Sequence, residues 1–199
     1  MAKVLVNTNI SKFENIPMIA LRGVVLFPEM TLRFDVMRQK SVAALQHVAE
    51  SEQQLIFLSA QIGTEIQNPH KEDIYEIGTL GKIKQIIKTT PDSYAVLVEG
   101  ILRAKISSYA QVKPFFAVNL ERIVEKAPLR NTTAGEALVR TAHRIFSEYF
   151  ELNDNTAREI LMSAIAKNQP GVLSDFIASN SMMPFEEQQD ILEEKSHIT

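Results

Sequence analysis

Gly81-Lys82-Ile83-Lys84-Gln85-Ile86-Ile87-Lys88, then Thr90-Pro91-Asp92-Ser93, then Ala95-Val96-Leu97-Val98: this part of the chain decides the fold class. Ile83 and Ile87 fall on one face of an extended chain, and Lys82, Lys84 and Lys88 on the other. That period-two pattern is the mark of a half-buried strand. The Pro-Asp-Ser connection fits a turn, so the two runs are expected to form a hairpin. Gly100 interrupts the returning strand, where a bulge or tight bend is its natural place.

The same character continues on both sides of the hairpin. Ile16-Pro17-Met18-Ile19-Ala20-Leu21 is a short apolar run closed by Gly23, and Met30–Val36 and residues 53–60 supply two more strand-like runs. Phe116, Val118 and Leu120 alternate with Ala117, Asn119 and Glu121 in a further strand. One helix intrudes at about 38–50, where Val42, Leu45 and Val48–Ala49 recur at helical spacing. Five or six strands, one helix and bends at glycines predict a small, twisted, partly closed β-barrel over residues 14–125, after a tail at 1–13.

Beyond Lys126-Ala127-Pro128 the period changes. Thr133-Ala134-Gly135-Glu136 fits a capping box, and Leu138, Ala142, Ile145 and Tyr149 then form one helical stripe. Ile160–Leu161 and Ala164–Ile165 repeat the pattern. Pro170-Gly171 interrupts it before Val172–Leu173 and Phe176–Ile177, and Pro184 opens a last helix with Glu186 and Glu187 near its positive end. The expectation is an α+β chain: the barrel, a linker at 126–131, about four short helices over 132–195, and a terminal stub at 196–199.

Composition narrows the function. With 199 residues the chain is long enough to bury a core without staples. It has no cysteine, which removes disulfides, thiol catalysis and zinc–thiolate sites. A formal net charge of -3 disfavours a protein whose main partner is nucleic acid. No apolar run approaches the roughly 18–20 residues of a membrane span, and the first residues lack the apolar core of a secretory signal, so a cytoplasmic location and no membrane partner are expected.

Searches for chemistry return little. There is no G-x-x-x-x-G-K-[ST] phosphate loop and no G-x-S-x-G elbow. His47, His70, His143 and His197 stand far apart without metal-ligand spacing. Pairs such as Glu72–Asp73 and Glu186–Glu187 read as solvated turns and helix starts. No catalytic residue, metal or cofactor is expected. Between residues 80 and 113 the six cations Lys82, Lys84, Lys88, Arg103, Lys105 and Lys113 face only Asp92 and Glu99. Such a face can hold phosphates, or its lysines can simply keep a sheet soluble and unpaired; without interleaved aromatics the second reading is preferred.

Two apolar segments are more suggestive. Gly23-Val24-Val25-Leu26-Phe27-Pro28-Glu29-Met30 reads as a loop yet carries five large apolar side chains. Either part of it is exposed as a binding surface, or Leu26 and Phe27 fold back to plug one end of the barrel. Met182-Met183 lies at a helix junction, where flexible thioethers either adapt to partners or pack between helices.

The string Ile16-Pro17-Met18-Ile19-Ala20-Leu21-Arg22-Gly23-Val24-Val25-Leu26-Phe27-Pro28 resembles the opening signature of the N-terminal domains of ATP-dependent Lon proteases. The resemblance continues through Arg38-Gln39-Lys40-Ser41, Gly78-Thr79-Leu80-Gly81-Lys82-Ile83, Val96 to Ala104 and Leu173-Ser174-Asp175-Phe176-Ile177-Ala178, covering roughly residues 14–194. Ala20 stands where that family commonly has proline, which bears on strand geometry. The resemblance implies a PUA-like β-domain followed by a helical subdomain, engaged in substrate selection and hexamer assembly, with self-association as a dimer when isolated. The complete enzymes continue into a long helix, an ATPase module and a protease with a serine–lysine pair; Lys195–Thr199 falls about where that helix begins, as expected of an excised fragment or a shortened homologue. On this reading Val25, Leu26, Phe27 and Met30, with Phe34, would hold hydrophobic segments of unfolded or damaged proteins, and Met182 and Met183 are secondary candidates. An RNA-binding module and a purely oligomerising domain are the alternatives.

Overall fold

A computed structural model describes residues 11–124, 132–151 and 157–194 of the chain. It divides into two compact units, Met1–Ile123 and Val124–Thr199. The expected tail through residue 10, the linker at 126–131 and the end at 196–199 lie outside the described residues.

In the first unit the order is β1 (Lys12–Leu21), β2 (Thr31–Val36), α1 (Gln39–Ala49), β3 (Leu55–Ala60), β4 (Ile77–Thr90), β5 (Ser93–Gln111) and β6 (Phe116–Arg122). The strands lie side by side as β2-β5-β4-β3-β1-β6, and β6 pairs again with β5. That last pairing closes a ring of five strands. It is possible because β5 is 19 residues long: Tyr94–Glu99 pairs with β2, and Ala104–Gln111 pairs with β6. β1 and β3 run parallel; the other neighbours are antiparallel.

The unit has two apolar cores, and β1 serves both. Ile16, Met18 and Ala20 point into one with Phe57, Leu80, Leu102 and Val118. Ile19 and Leu21 point the other way, into a layer with Ala44, Leu45 and Val48 of α1 and with Val96 and Val98 of β5. This two-sided burial is why residues 16–21 read as a continuous apolar run rather than an alternating one.

The hairpin of β4 and β5 forms as expected, but its face assignment needs correction. Ile83 is buried, whereas Ile87 is exposed. The register passes from Ile83↔Val98 to Gln85↔Leu97, so Lys84 is an extra residue on β4. One inserted residue reverses the faces of everything after it. Ile86, not Ile87, therefore packs against the α1 layer. A second irregularity sets Leu80↔Leu102 beside Gly81↔Gly100, with Ile101 as the extra residue on β5, next to the glycine that suggested a bend.

The second unit holds α2 (Thr133–Glu151), α3 (Ala157–Ile165), α4 (Pro170–Asn180) and α5 (Phe185–Glu193). The cap of α2 is Thr132, one residue before the expected position: its hydroxyl accepts the Gly135 amide at 3.1 Å. The apolar stripe is also displaced. Val139 and Phe146 are buried, Ala142 and Tyr149 half-buried, and Leu138 and Ile145 exposed. Phe146 meets Phe176 of α4 edge-on at 6.4 Å, and that aromatic contact selects the face. Both stripes have helical spacing, so spacing alone did not separate them. Pro170 occupies the first turn of α4, and Pro184 precedes α5 with Glu186 and Glu187 in its first turn.

Candidate functional site

The 23–30 segment is a loop, and most of its apolar side chains are inside. Phe27 has no accessible surface, and Leu26 and Val25 are buried at 3% and 8% exposure. Backbone geometry holds them there. Gly23 turns the chain at φ 64°, and Glu29 takes a left-handed φ of 61°. The Leu26 carbonyl accepts the Thr79 hydroxyl at 2.5 Å. Glu29 N–H donates to Gly100 O at 3.0 Å, and Gly100 N–H donates to Met30 O at 2.8 Å. A Cβ on Gly100 would collide with the Phe27 carbonyl, so the glycine is required by close approach of two backbones. Val25, Leu26 and Phe27 therefore plug the barrel unit, Leu26 joining the α1 layer, while Met30 and Phe34 are half-buried.

What remains accessible lies beside the plug. A cleft of about 270 Å³ is walled by residues of β1, of the connection that follows it, of the end of β2 and of the passage into α1, including Arg22, Val24, Phe34, Met37, Arg38 and Ser41. Met37 is 68% exposed, a large cost in water for a thioether chain without a partner. Of the sequence-expected residues, Phe34 lines this cleft and Met30 packs against the layer behind it. Val24 from the same loop lines it too, and Met37, Arg22 and Arg38 were not anticipated. No periodicity marks them, because they fall in connections between elements.

The polar end of the cleft is organised by residues 61–67. Gln61 is fully buried and donates to the Gly63 and Ile66 carbonyls, while its Oε1 accepts Arg38 Nη2 at 2.7 Å. Arg22 Nη2 donates to Ile66 O at 3.2 Å and Gln67 Oε1 at 3.1 Å. Burial, and then the neighbouring positive charge of Arg22, lower the Arg38 guanidinium from its ordinary value. Asp35 also lines the cleft, yet no ion pair joins it to either arginine among the described residues.

Met183 lines a second apolar groove of about 260 Å³ in the helical unit, with Leu138, Val139, Leu173, Ile177 and Ile191. Met182 is 89% exposed, and its amide donates to the Tyr149 hydroxyl at 3.2 Å. The basic strand pair is half spoken for: Lys84 bridges Glu99 at 2.5 Å, Lys105 bridges Glu76 at 3.0 Å and Arg103 is buried, while Lys82, Lys88 and Lys113 have no ion pair among the described residues. His47 meets the Phe115 ring at 5.0 Å with a 34° tilt, and His143 contacts the Ala164 carbonyl at 3.0 Å. His197 lies outside the described residues. Among the described residues no group of three acidic, histidine or cysteine side chains is placed to hold a metal, and no helix is long and apolar enough to cross a membrane.

Comparison with known proteins agrees with the motif reading. The family described as the ATP-dependent protease La (LON) substrate-binding domain matches residues 15–198. The chain is similar to the Lon protease of Desulforamulus reducens, 35% identical over 92% of this chain and 22% of that protein. It is also similar to Lon protease 1 of Bacillus subtilis, 35% identical over 90% of this chain and 23% of that protein. The chain thus spans about a quarter or less of the length of these curated relatives. Its fold is that of the N-terminal domain of a Mycobacterium avium complex Lon protease, with a TM-score of 0.70, 19% identity, and coverage of 91% of this chain and 90% of that one. A Lon N-terminal domain protein from Xanthomonas campestris gives 0.59 at 12% identity, covering 94% and 93%. On this evidence the chain belongs to the family of Lon substrate-binding domains.

Proposed function

We propose that this domain captures exposed apolar segments of unfolded or damaged proteins in the cleft between the 23–30 loop and the start of α1. It would do so on behalf of a cytoplasmic ATP-dependent Lon protease. The observation that supports this most is Met37, a large flexible apolar side chain more than two-thirds exposed beside half-buried Phe34 and Val24. Burial of apolar surface gains about 25 cal/mol per Å² and demands no particular sequence, which suits clients recognised only by being unfolded. Ordering a flexible client offsets much of that gain, so a single domain should bind weakly. Several domains on one hexamer would raise the apparent affinity through effective concentration. The domain would contribute to that assembly, as a dimer when isolated. Val25, Leu26 and Phe27 act in this scheme as the support behind the cleft, and Met30 and Phe34 as its flank. Met183, with exposed Met182 next to it in the chain, offers a second apolar surface in the helical unit.

The test is a titration of a labelled, permanently unfolded polypeptide with the 199-residue chain, in wild-type form and as Met37→Asp. Binding that weakens severalfold or more in the variant, with an unchanged thermal transition, supports the cleft. A labelled RNA run beside it tests the nucleic-acid alternative, against which the paired Lys84 and Lys105 already weigh.

A further inference from the structure

Resting on the client-binding reading above, we propose that the same cleft reads the C-terminal carboxylate of an extended polypeptide whose last side chain is apolar. Arg22 and Arg38 stand close enough to feel each other's charge, and both line a cleft whose other walls are mostly apolar. Each is held from the same side by residues 61–67: Arg38 by the buried amide of Gln61, Arg22 by the Ile66 carbonyl and the Gln67 side chain. Those contacts use one terminal nitrogen of each guanidinium. The remaining N–H groups have no protein acceptor among the described residues, and no carboxylate is paired with either group. Two oriented cations with spare donors match a carboxylate, which accepts paired hydrogen bonds from such a fork. Gln61 makes the arrangement a built one, since a fully buried side chain amide anchored on two loop carbonyls fixes where Arg38 lies. Arg38 is the N-cap residue of α1, whose first turn no side chain caps, and the positive end of that helix adds to the same field.

Volume selects the source of the carboxylate. At about 270 Å³ the cleft is smaller than most small-molecule pockets, which run from roughly 300 to 1,000 Å³. In an extended internal segment an acidic and an apolar side chain on one face are two residues apart, about 7 Å. A C-terminal residue carries both groups on one Cα, so it presents carboxylate and apolar side chain within a compact space.

The experiment is fluorescence anisotropy of three short peptides labelled at the N-terminus, titrated with the 199-residue chain. The first ends in leucine as the free acid, the second is the same peptide as a C-terminal amide, and the third is that amide with glutamate two residues before the end. The free acid is expected to bind about tenfold or more tighter than either amide. Arg22→Gln should erase that advantage while leaving the thermal transition in place, since Arg22 is exposed. Equal affinity of acid and amide overturns the proposal, as does a glutamate amide that equals the acid or an advantage that survives Arg22→Gln. If the plain amide binds and loses binding on Met37→Asp, apolar capture stands even where carboxylate reading fails. If none of the three binds, both readings fail together.

Discussion

The plug at residues 25–27 and the cleft rim at 34–38 are neighbours in sequence with three large apolar side chains each, yet all three of the plug are interior whereas Met37 of the rim faces water. Phe27 is inaccessible; Met37 is 68% exposed. The difference lies in what holds the backbone. The plug is tied to β4 and β5: the Leu26 carbonyl accepts the Thr79 hydroxyl, the Phe27 carbonyl accepts the Met30 amide, and Gly100 exchanges backbone bonds with Glu29 and Met30 just beyond, so its side chains can go inside. The rim leaves β2 at Val36 and enters α1 at Gln39, and in that short passage Met37 has no layer to join. An apolar loop is therefore no evidence of a binding surface until its hydrogen bonds are known.

That contrast can be broken at its strongest point. Phe27→Ala should cost about 3–5 kcal/mol as a buried aromatic is lost, and Phe27→Asp should abolish the cooperative thermal transition. Retention of the melting temperature by either would place Phe27 on the surface. Gly100→Ala should come next, at about 1–3 kcal/mol, because its methyl meets the Phe27 carbonyl; chemical denaturation measures it. At the rim the expectation reverses. Phe34→Ala should cost less stability than either change and weaken binding of an unfolded polypeptide severalfold, separable by titration beside a melt.

A smaller effect checks the barrel wall. Burial, then the charges of Glu72 and Glu76, push the Tyr109 hydroxyl from 10.0 up to about 12. Below about pH 10 that group is protonated in folded and unfolded chains alike, and its contribution to stability is complete. Between 10 and about 12 the unfolded chain loses the proton first, so stability falls as pH rises. Denaturant titrations across that range should show a shallower decline in Tyr109→Phe than in the wild type.

Much of the fold was legible because period and length carry it. The buried run at 16–21, the 81–98 hairpin, the helix after Val36 and the change to helical period after residue 131 all appear in the structure where the pattern put them. Misreadings came from events that add or shift one residue. The bulge at Lys84 moved Ile87 to the outside, and aromatic packing on Phe176 turned α2 toward Val139 and Phe146. Neither event has a signature in hydrophobic spacing. The motifs carried the family, but the site was only half visible: Phe34 was in view, while Met37, Arg22 and Arg38 come together only through the pairing of β1 with β3 and the path of residues 61–67.

The most direct measurement is the anisotropy titration of a labelled, unfolded polypeptide with an amidated C-terminus against wild-type chain and Met37→Asp, at low and high salt. Apolar capture in the cleft predicts weak binding that survives salt in the wild type and falls severalfold or more in the variant, with matching melts. Equal binding by the two proteins, or binding that disappears with salt, would contradict it.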